Sequence, residues 1–222
     1  MFKGLLIIML VMFYNTANTQ THGGFEQYYY PGNKGASTVV PRVYYQNKKN
    51  WYGEVRYNYE ELATFSFNAG KTFSNDGNIS YSITPTVGAL AGRLNGASVG
   101  IKTEVDYKNL FFSSESQYSF SAQSKCADFL FNWSELCYRA TSHIYTGLAL
   151  QLTHPYKTAN TWEPGAMIAF SFNKFTFPLY VFSPVNNKRY FVLGINWEWQ
   201  RSKSETPKWE VPLVAKSGEP GI

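Results

Sequence analysis

Residues 51–60, WYGEVRYNYE, carry the pattern on which the fold turns. At a period of two they set Trp51, Gly53, Val55, Tyr57 and Tyr59 on one face and Tyr52, Glu54, Arg56, Asn58 and Glu60 on the other. That spacing makes a strand and not an amphipathic helix. One face is apolar and aromatic, the other ionic. Two architectures use the pattern with opposite polarity. A soluble barrel or sandwich turns the apolar face inward, whereas a transmembrane barrel turns it to lipid and keeps the ionic face in its lumen.

The alternation spreads in both directions. Residues 38–47 (TVVPRVYYQN) repeat it with Val39, Pro41, Val43 and Tyr45 on the apolar face, and Lys48 and Lys49 make the turn between the two strands. With Tyr45 facing Trp51, Arg42 lies opposite Glu54 as a cross-strand ion pair. Before them, residues 23–30 (GGFEQYYY) form a weak first strand and residues 31–37 a loop. On the C-terminal side, residues 62–73 point Ala63, Phe65, Phe67 and Ala69 outward. The turn SNDG at 74–77 then returns the chain through 78–89, with Ile79, Tyr81, Ile83, Pro85 and Val87 on the apolar face. Residues 90–95 read as a longer, Gly-rich loop.

The best-defined hairpin joins residues 96–107 to 110–121 through Lys108 and Asn109. That turn pairs Tyr107 with Leu110, Val105 with Phe112 and, on the polar face, Lys102 with Glu115. Residues 128–140 (DFLFNWSELCYRA) need a bulge near Ser134 if Phe129, Phe131 and Trp133 are to share a face with Leu136 and Tyr138. After a turn at Thr141 and Ser142, residues 143–153 carry Ile144, Leu148, Leu150 and Leu152 outward. A second tight hairpin, 162–172 with 175–183, matches Phe172 with Phe175 around Asn173 and Lys174. The last strand, 189–199, shows Phe191, Leu193, Ile195, Trp197 and Trp199.

The sequence therefore predicts an all-β, up-and-down antiparallel transmembrane β-barrel of about twelve strands. Short turns alternate with mostly longer loops, and an even count returns both ends of the chain to the short-turn side, as in outer-membrane barrels. Aromatic residues make up 18% of the 222 residues and charged ones 16%, which suits a lipid-facing surface better than an ordinary soluble domain. Trp51, Tyr59, Tyr107, Trp133, Trp162, Trp197 and Trp199 fall toward strand ends and are assigned to an interfacial aromatic girdle. Pro41, Pro85 and Pro178 each remove a ladder hydrogen bond, so bulges or strand ends are expected there.

Three segments organise the chain. Residues 1–19 read as a secretory signal peptide, with Lys3 ahead of an apolar core at 5–13 and small Ala17 and Thr19 before Gln20. Residues 20–199 form the barrel, and residues 200–222 a polar periplasmic tail. Cys126 and Cys137 would lie about 30 Å apart if residues 128–140 are one strand, well beyond the reach of a disulfide, so they are expected not to bond to each other.

The segments RYNYEELAT, ITPTVGALAGRLNGAS, FFSSESQYSF, FNWSELCYRA and FVLGINWEW resemble those of a group of uncharacterised outer-membrane β-barrels of Gram-negative bacteria. The resemblance spans residues 38–199. It implies the fold and a place in the bacterial outer membrane, and it brings no activity and no catalytic residue.

The polar face collects Arg42, Glu54, Arg56, Glu60, Lys102, Glu104, Asp106, Glu115, Glu135, Arg139, His143, Glu163 and Glu198 as lumen-lining residues. Acids exceed bases among them although the chain carries a formal charge of +5. Two readings follow. Either these groups bond across a narrow lumen and close it as a structural barrel, or they line a porin-like path for small polar solutes that favours cations. The basic turns and loops, with Lys48, Lys49, Lys108, Lys125, Lys157, Lys174 and Lys188, would meet membrane head groups or lipopolysaccharide phosphates. A nucleic-acid motif is not visible, and no residues stand at metal-ligand spacing, so neither metal nor cofactor is expected. A barrel-embedded enzyme acting on lipid or lipopolysaccharide is the rival class. It would have to use Ser142 with His143, or His154.

Overall fold

The computed structural model describes residues 21–31, 37–124, 127–156, 160–185 and 189–200. Residues 1–20, with the expected signal peptide, and the tail beyond Gln200 lie outside the described residues, as does Cys126. The chain forms β1 (His22–Tyr30), β2 (Thr38–Gln46), β3 (Trp51–Tyr57), β4 (Thr64–Lys71), β5 (Phe73–Asn75), β6 (Ser80–Gly92), β7 (Gly96–Tyr107), β8 (Leu110–Ser121), β9 (Phe129–Arg139), β10 (Ile144–Pro155), β11 (Thr161–Phe172), β12 (Phe175–Phe182) and β13 (Tyr190–Gln200). Neighbouring strands pair antiparallel, β6 with both β4 and β5 and β1 with both β2 and β13, so the sheet closes on itself. A closed ladder satisfies the backbone without an edge, which a bilayer requires of any sheet that spans it.

Twelve strands carry the closure and β5 is the extra one. β4 and β5 lie along β6 in a single register, Gly70 facing Thr86 and Phe73 facing Ile83. The missing rungs between them fall opposite Pro85, which has no N–H to give. Pro178 does the same between β12 and β13, where pairing stops at Thr176–Asn196 and resumes at Leu179–Leu193. At Pro41 the β2–β3 ladder simply ends, its last rung being Arg42–Arg56. In all three places the register does not slip, so the prolines remove rungs without forming bulges.

Outward positions are apolar or aromatic along most strands. Val55, Phe67, Val87, Leu148, Ile168, Phe177 and Leu193 are exposed at mid-strand, a belt that faces lipid. The short turns at 47–50, 76–79, 108–109, 140–143 and 173–174 share one rim with His22 and Gln200, and the other rim carries 58–63 and 93–95 with the strand ends at Tyr30, Thr38, Ser121, Phe129, Pro155, Thr161, Phe182 and Tyr190. The segment at 93–95 is short where a long loop was expected, because β6 runs on to Gly92.

Two registers differ from expectation. Arg42 stands opposite Arg56 and Tyr44 opposite Glu54, because Asn50 takes φ 61° and lengthens the turn. Along β9, pairing with both neighbours is unbroken from Phe129 to Tyr138. There is no bulge at Ser134, and Phe129, Phe131 and Trp133 therefore share the inward face with Glu135 and Cys137.

Candidate functional site

The lumen is built from two unlike walls. The first belongs to β2, β3, β7 and β8. Arg42 donates from Nε to Glu54 Oε2 at 2.9 Å, from Nη1 to Glu26 Oε2 at 3.1 Å and from Nη2 to the Tyr52 hydroxyl at 3.0 Å. Arg56 donates to Glu54 Oε1 at 2.5 Å and pairs with Glu115. Lys102 Nζ lies 2.8 Å from Glu54 Oε2 and 3.0 Å from Glu115 Oε2. Since β4 and β6 intervene between β3 and β7 around the barrel, these pairs cross the interior. Arg56 is 1% and Glu54 4% exposed, so the charges are tolerable only because each has opposite partners within reach.

This network depends on a local break in the strand. Asn58, at φ 60°, ends β3. Its side chain donates to Val39 O at 3.0 Å and accepts from Ala63 N at 2.7 Å. The loop that follows folds into the barrel mouth. There the Tyr59 hydroxyl donates to Glu115 Oε1 at 3.3 Å and its ring lies 4.1 Å from the Arg56 guanidinium carbon. Glu60 accepts from Gln117 Nε2 at 2.9 Å. Tyr59, assigned to the outer girdle from strict alternation, is thus a lumen residue.

Where β4, β6 and β7 face this network, the inward side chains are small. Ser66, Asn68, Thr84, Thr86 and Ser98 are buried there, and bulk on the opposite strands takes the place of bulk on these.

The second wall belongs to β1 and β9 to β13. Trp133, Tyr180, Phe182 and Val192 pack with Phe111, Cys137, Tyr145 and Met167 as an apolar cluster inside the barrel, with Tyr28, Tyr30 and Tyr190 against it. Trp133 meets Tyr180 and Phe182 edge-on, both at 5.2 Å between ring centroids, and Tyr28 lies 6.1 Å from Trp133. Gly194 leaves room for this packing, since a Cβ there would stand 2.6 Å from Pro178 Cγ and 3.1 Å from Tyr28 Cε1. The Cys137 thiol is 3.6 Å from Met167 Sδ. Glu135 sits among these rings: it accepts from Trp133 Nε1 at 2.5 Å and from the Tyr180 hydroxyl at 2.8 Å.

Between the walls lies a cavity of about 470 Å³. Its lining runs from His22, Gln46, Thr176 and Glu198 near the short-turn rim to Tyr30, Thr38 and Asn58 near the other. Glu26, Arg42, Lys102, Glu104, Glu115, Glu135 and Glu198 are its ionisable lining residues at mid-height and toward the turns.

The remaining residues singled out from sequence are dispersed. Glu104 accepts from Ser82 Oγ at 3.1 Å and Glu163 from the Tyr190 hydroxyl at 3.1 Å. Glu198 accepts from the Tyr44 hydroxyl at 3.4 Å, and the Arg139 guanidinium lies 5.7 Å from the Tyr145 ring. Asp106 stands opposite Ser80 and Phe111 near the short-turn rim. Trp51 and Trp162 are 56% and 58% exposed, Tyr107 41%, and the Trp197 ring lies tilted against that of Trp199 at 5.2 Å between centroids on the outer face. Trp133 is the second girdle residue that the structure places inside. His143 is exposed on the turn rim with Nδ1 3.0 Å from Ser171 O, and His154 contacts Asn160; neither contact is a Ser–His pair. Among the described residues no group of His, Cys, Asp and Glu could hold a metal ion. Glu26, Tyr28, Tyr44 and Tyr180 were not singled out from sequence. Their place follows from alternation within β1, β2 and β12, but apolar-out reading sends aromatics to the wrong face.

The fold this chain defines is a twelve-stranded transmembrane porin-type barrel with one added strand. Among solved structures it is similar to KdgM porin in complex with disordered oligogalacturonate, with 10% identity, a TM-score of 0.56, and coverage of 79% of this chain and 98% of that one. A second KdgM porin structure gives 11% identity, a TM-score of 0.53 and the same coverage. At such identities the likeness is one of fold. No protein-family model matches the chain, and no curated protein matches it.

Proposed function

We propose that this chain is an outer-membrane channel for small polar solutes with a preference for cations. One observation carries the reading: a cavity lined from rim to rim in which Glu26, Glu104, Glu115, Glu135 and Glu198 outnumber Arg42 and Lys102. Fixed charge of one sign in a low-dielectric passage raises the local concentration of the opposite ion. The KdgM porin complex, which holds an acidic sugar oligomer, supports solute passage through this kind of barrel. The acid excess here argues for a different solute charge. We place the chain with the uncharacterised barrels that its segments resemble, exported by its N-terminal segment. With the short-turn rim periplasmic, Lys48, Lys49, Lys108 and Lys174 would meet phospholipid head groups; Lys125, Lys157 and Lys188, expected to meet head groups or lipopolysaccharide, lie outside the described residues.

A closed structural barrel is the second reading, favoured by the ion pairs that tie β3 to β7 and β8 across the interior. Single-channel recording of the refolded full chain in a planar bilayer under a KCl gradient separates the two. Steady currents with a reversal potential toward that of potassium support the channel. Silence from protein shown to be folded by heat-modifiable gel migration supports closure, and anion preference would overturn the charge argument.

A further inference from the structure

Glu135 differs from Glu54 and Glu115 in how it is satisfied. Both of its hydrogen bonds come from neutral donors, and both end on Oε1. Oε2 accepts none, and no Lys, Arg or His pairs with the side chain among the described residues. Glu54 and Glu115, by contrast, each pair with Arg42, Arg56 and Lys102. Glu135 nevertheless lines the cavity, with Tyr28, Trp133 and Tyr180 around it. A carboxylate set among aromatic rings without a cation is costly, and Trp133 and Tyr180 hold this one in a single orientation.

Two further oxygens point the same way. Gln151 Oε1 and Asn196 Oδ1 are buried without a hydrogen-bond partner among the described residues, and both residues line the same cavity. Gln151 is the cross-strand neighbour of Trp133. Asn196 is that of Glu26, two residues before Tyr28 on β1. The wall thus offers three acceptors that lack donors, together with rings whose faces attract positive charge. An ammonium group on a carbon skeleton matches this set, because it brings N–H donors, a positive charge and a surface that aromatic rings cover.

We propose that the aromatic wall is a binding subsite for organic ammonium ions. In it Glu135 Oε2 meets the ammonium, Gln151 and Asn196 supply further acceptors, and Tyr28, Trp133 and Tyr180 receive the hydrocarbon part. This deepens the channel reading and rests on it for its biological use, but the binding itself requires no current. A small inorganic cation gains little from the rings, so the subsite discriminates among cations as well as against anions.

Calorimetry on the refolded full chain in detergent tests this with benzylammonium as probe, and with benzyl alcohol and phenylacetate as neutral and anionic analogues. The expected result is saturable binding of benzylammonium, weaker binding of benzyl alcohol by about tenfold or more and none of phenylacetate, from the loss of one charge-assisted contact. Glu135→Gln should weaken benzylammonium by a similar factor while leaving benzyl alcohol unchanged. Equal binding of the three probes, or none by benzylammonium, overturns the subsite, and neither result depends on a variant that folds. Conductance in KCl keeps the two readings apart. Binding without current leaves the subsite standing and removes the channel; current without binding does the reverse.

Discussion

The two walls of the lumen solve the same problem with different chemistry. On β2, β3, β7 and β8 the interior is filled by charges that neutralise one another across the barrel, with Arg56 at 1% and Glu54 at 4% exposure. On β1 and β9 to β13 it is filled by rings, Phe182 and Val192 being fully buried. The ionic wall is specific, since each partner must be present. The aromatic wall is tolerant, since apolar contact has no direction. A narrow barrel can therefore be rigid on one side and leave the accommodating surface on the other. That difference is what makes the aromatic side the better place for a solute of variable shape.

The largest effect expected is from Arg56→Ala. It takes one of three cations from Glu54 and Glu115 and, among the described residues, leaves the buried Glu60 carboxylate without an ion-pair partner; a loss of about 3–5 kcal/mol is expected, measured as the urea midpoint at which the folded band disappears on unheated gels. A change below about 1 kcal/mol would mean that water already compensates these charges and that the ionic wall is not the rigid one. Next is Trp133→Ala, which removes a ring from the apolar cluster. A loss of about 2–4 kcal/mol is expected, together with a larger single-channel conductance, because the deleted volume opens directly onto the cavity. If stability falls and conductance does not rise, the aromatic wall collapses inward and is less tolerant than stated.

Lys102→Met sharpens the comparison from within the ionic wall. Removing this cation leaves Glu54 and Glu115 with Arg42 and Arg56, so a loss of about 1–3 kcal/mol is expected with a stronger cation preference in reversal potential. An unchanged reversal potential would place the conducting path away from Lys102. The smallest effect is at the outer rim, where Lys71 lies 5.6 Å from the Trp51 ring. Lys71→Ala should cost no more than about 1 kcal/mol and leave conductance alone, and a change in current would show that the rim contributes to the path.

How much of this was legible follows from which residues set the geometry locally. Lys108 and Asn173, at φ 55° and 54°, sit in two-residue turns that leave a single register. The pairs Lys102–Glu115 and Phe172–Phe175 were therefore readable from spacing alone. The turn after Gln46 was not, because Asn50 adopts a left-handed conformation that residue type permits without requiring. Arg42 consequently faces Arg56, and its bonds to Glu54 run diagonally. Tyr59 was misplaced for a like reason: alternation was carried past Asn58, where the strand stops. In β9 the rule that apolar residues face lipid was applied to Trp133 and called for a bulge, whereas the unbroken ladder turns that ring inward.

Alternation at period two, with turns of two to four residues, determined by itself that this chain closes into a membrane-spanning barrel of about twelve strands with charge on the inside. Side-chain direction within a strand is a local property of the backbone, so it survives in the sequence. Which charges meet across the lumen, why Glu135 is left among rings while Glu54 is not, and which aromatics serve lipid and which the interior were decided by the tertiary structure. Those contacts join strands far apart in the chain, and only closure of the barrel brings them within reach.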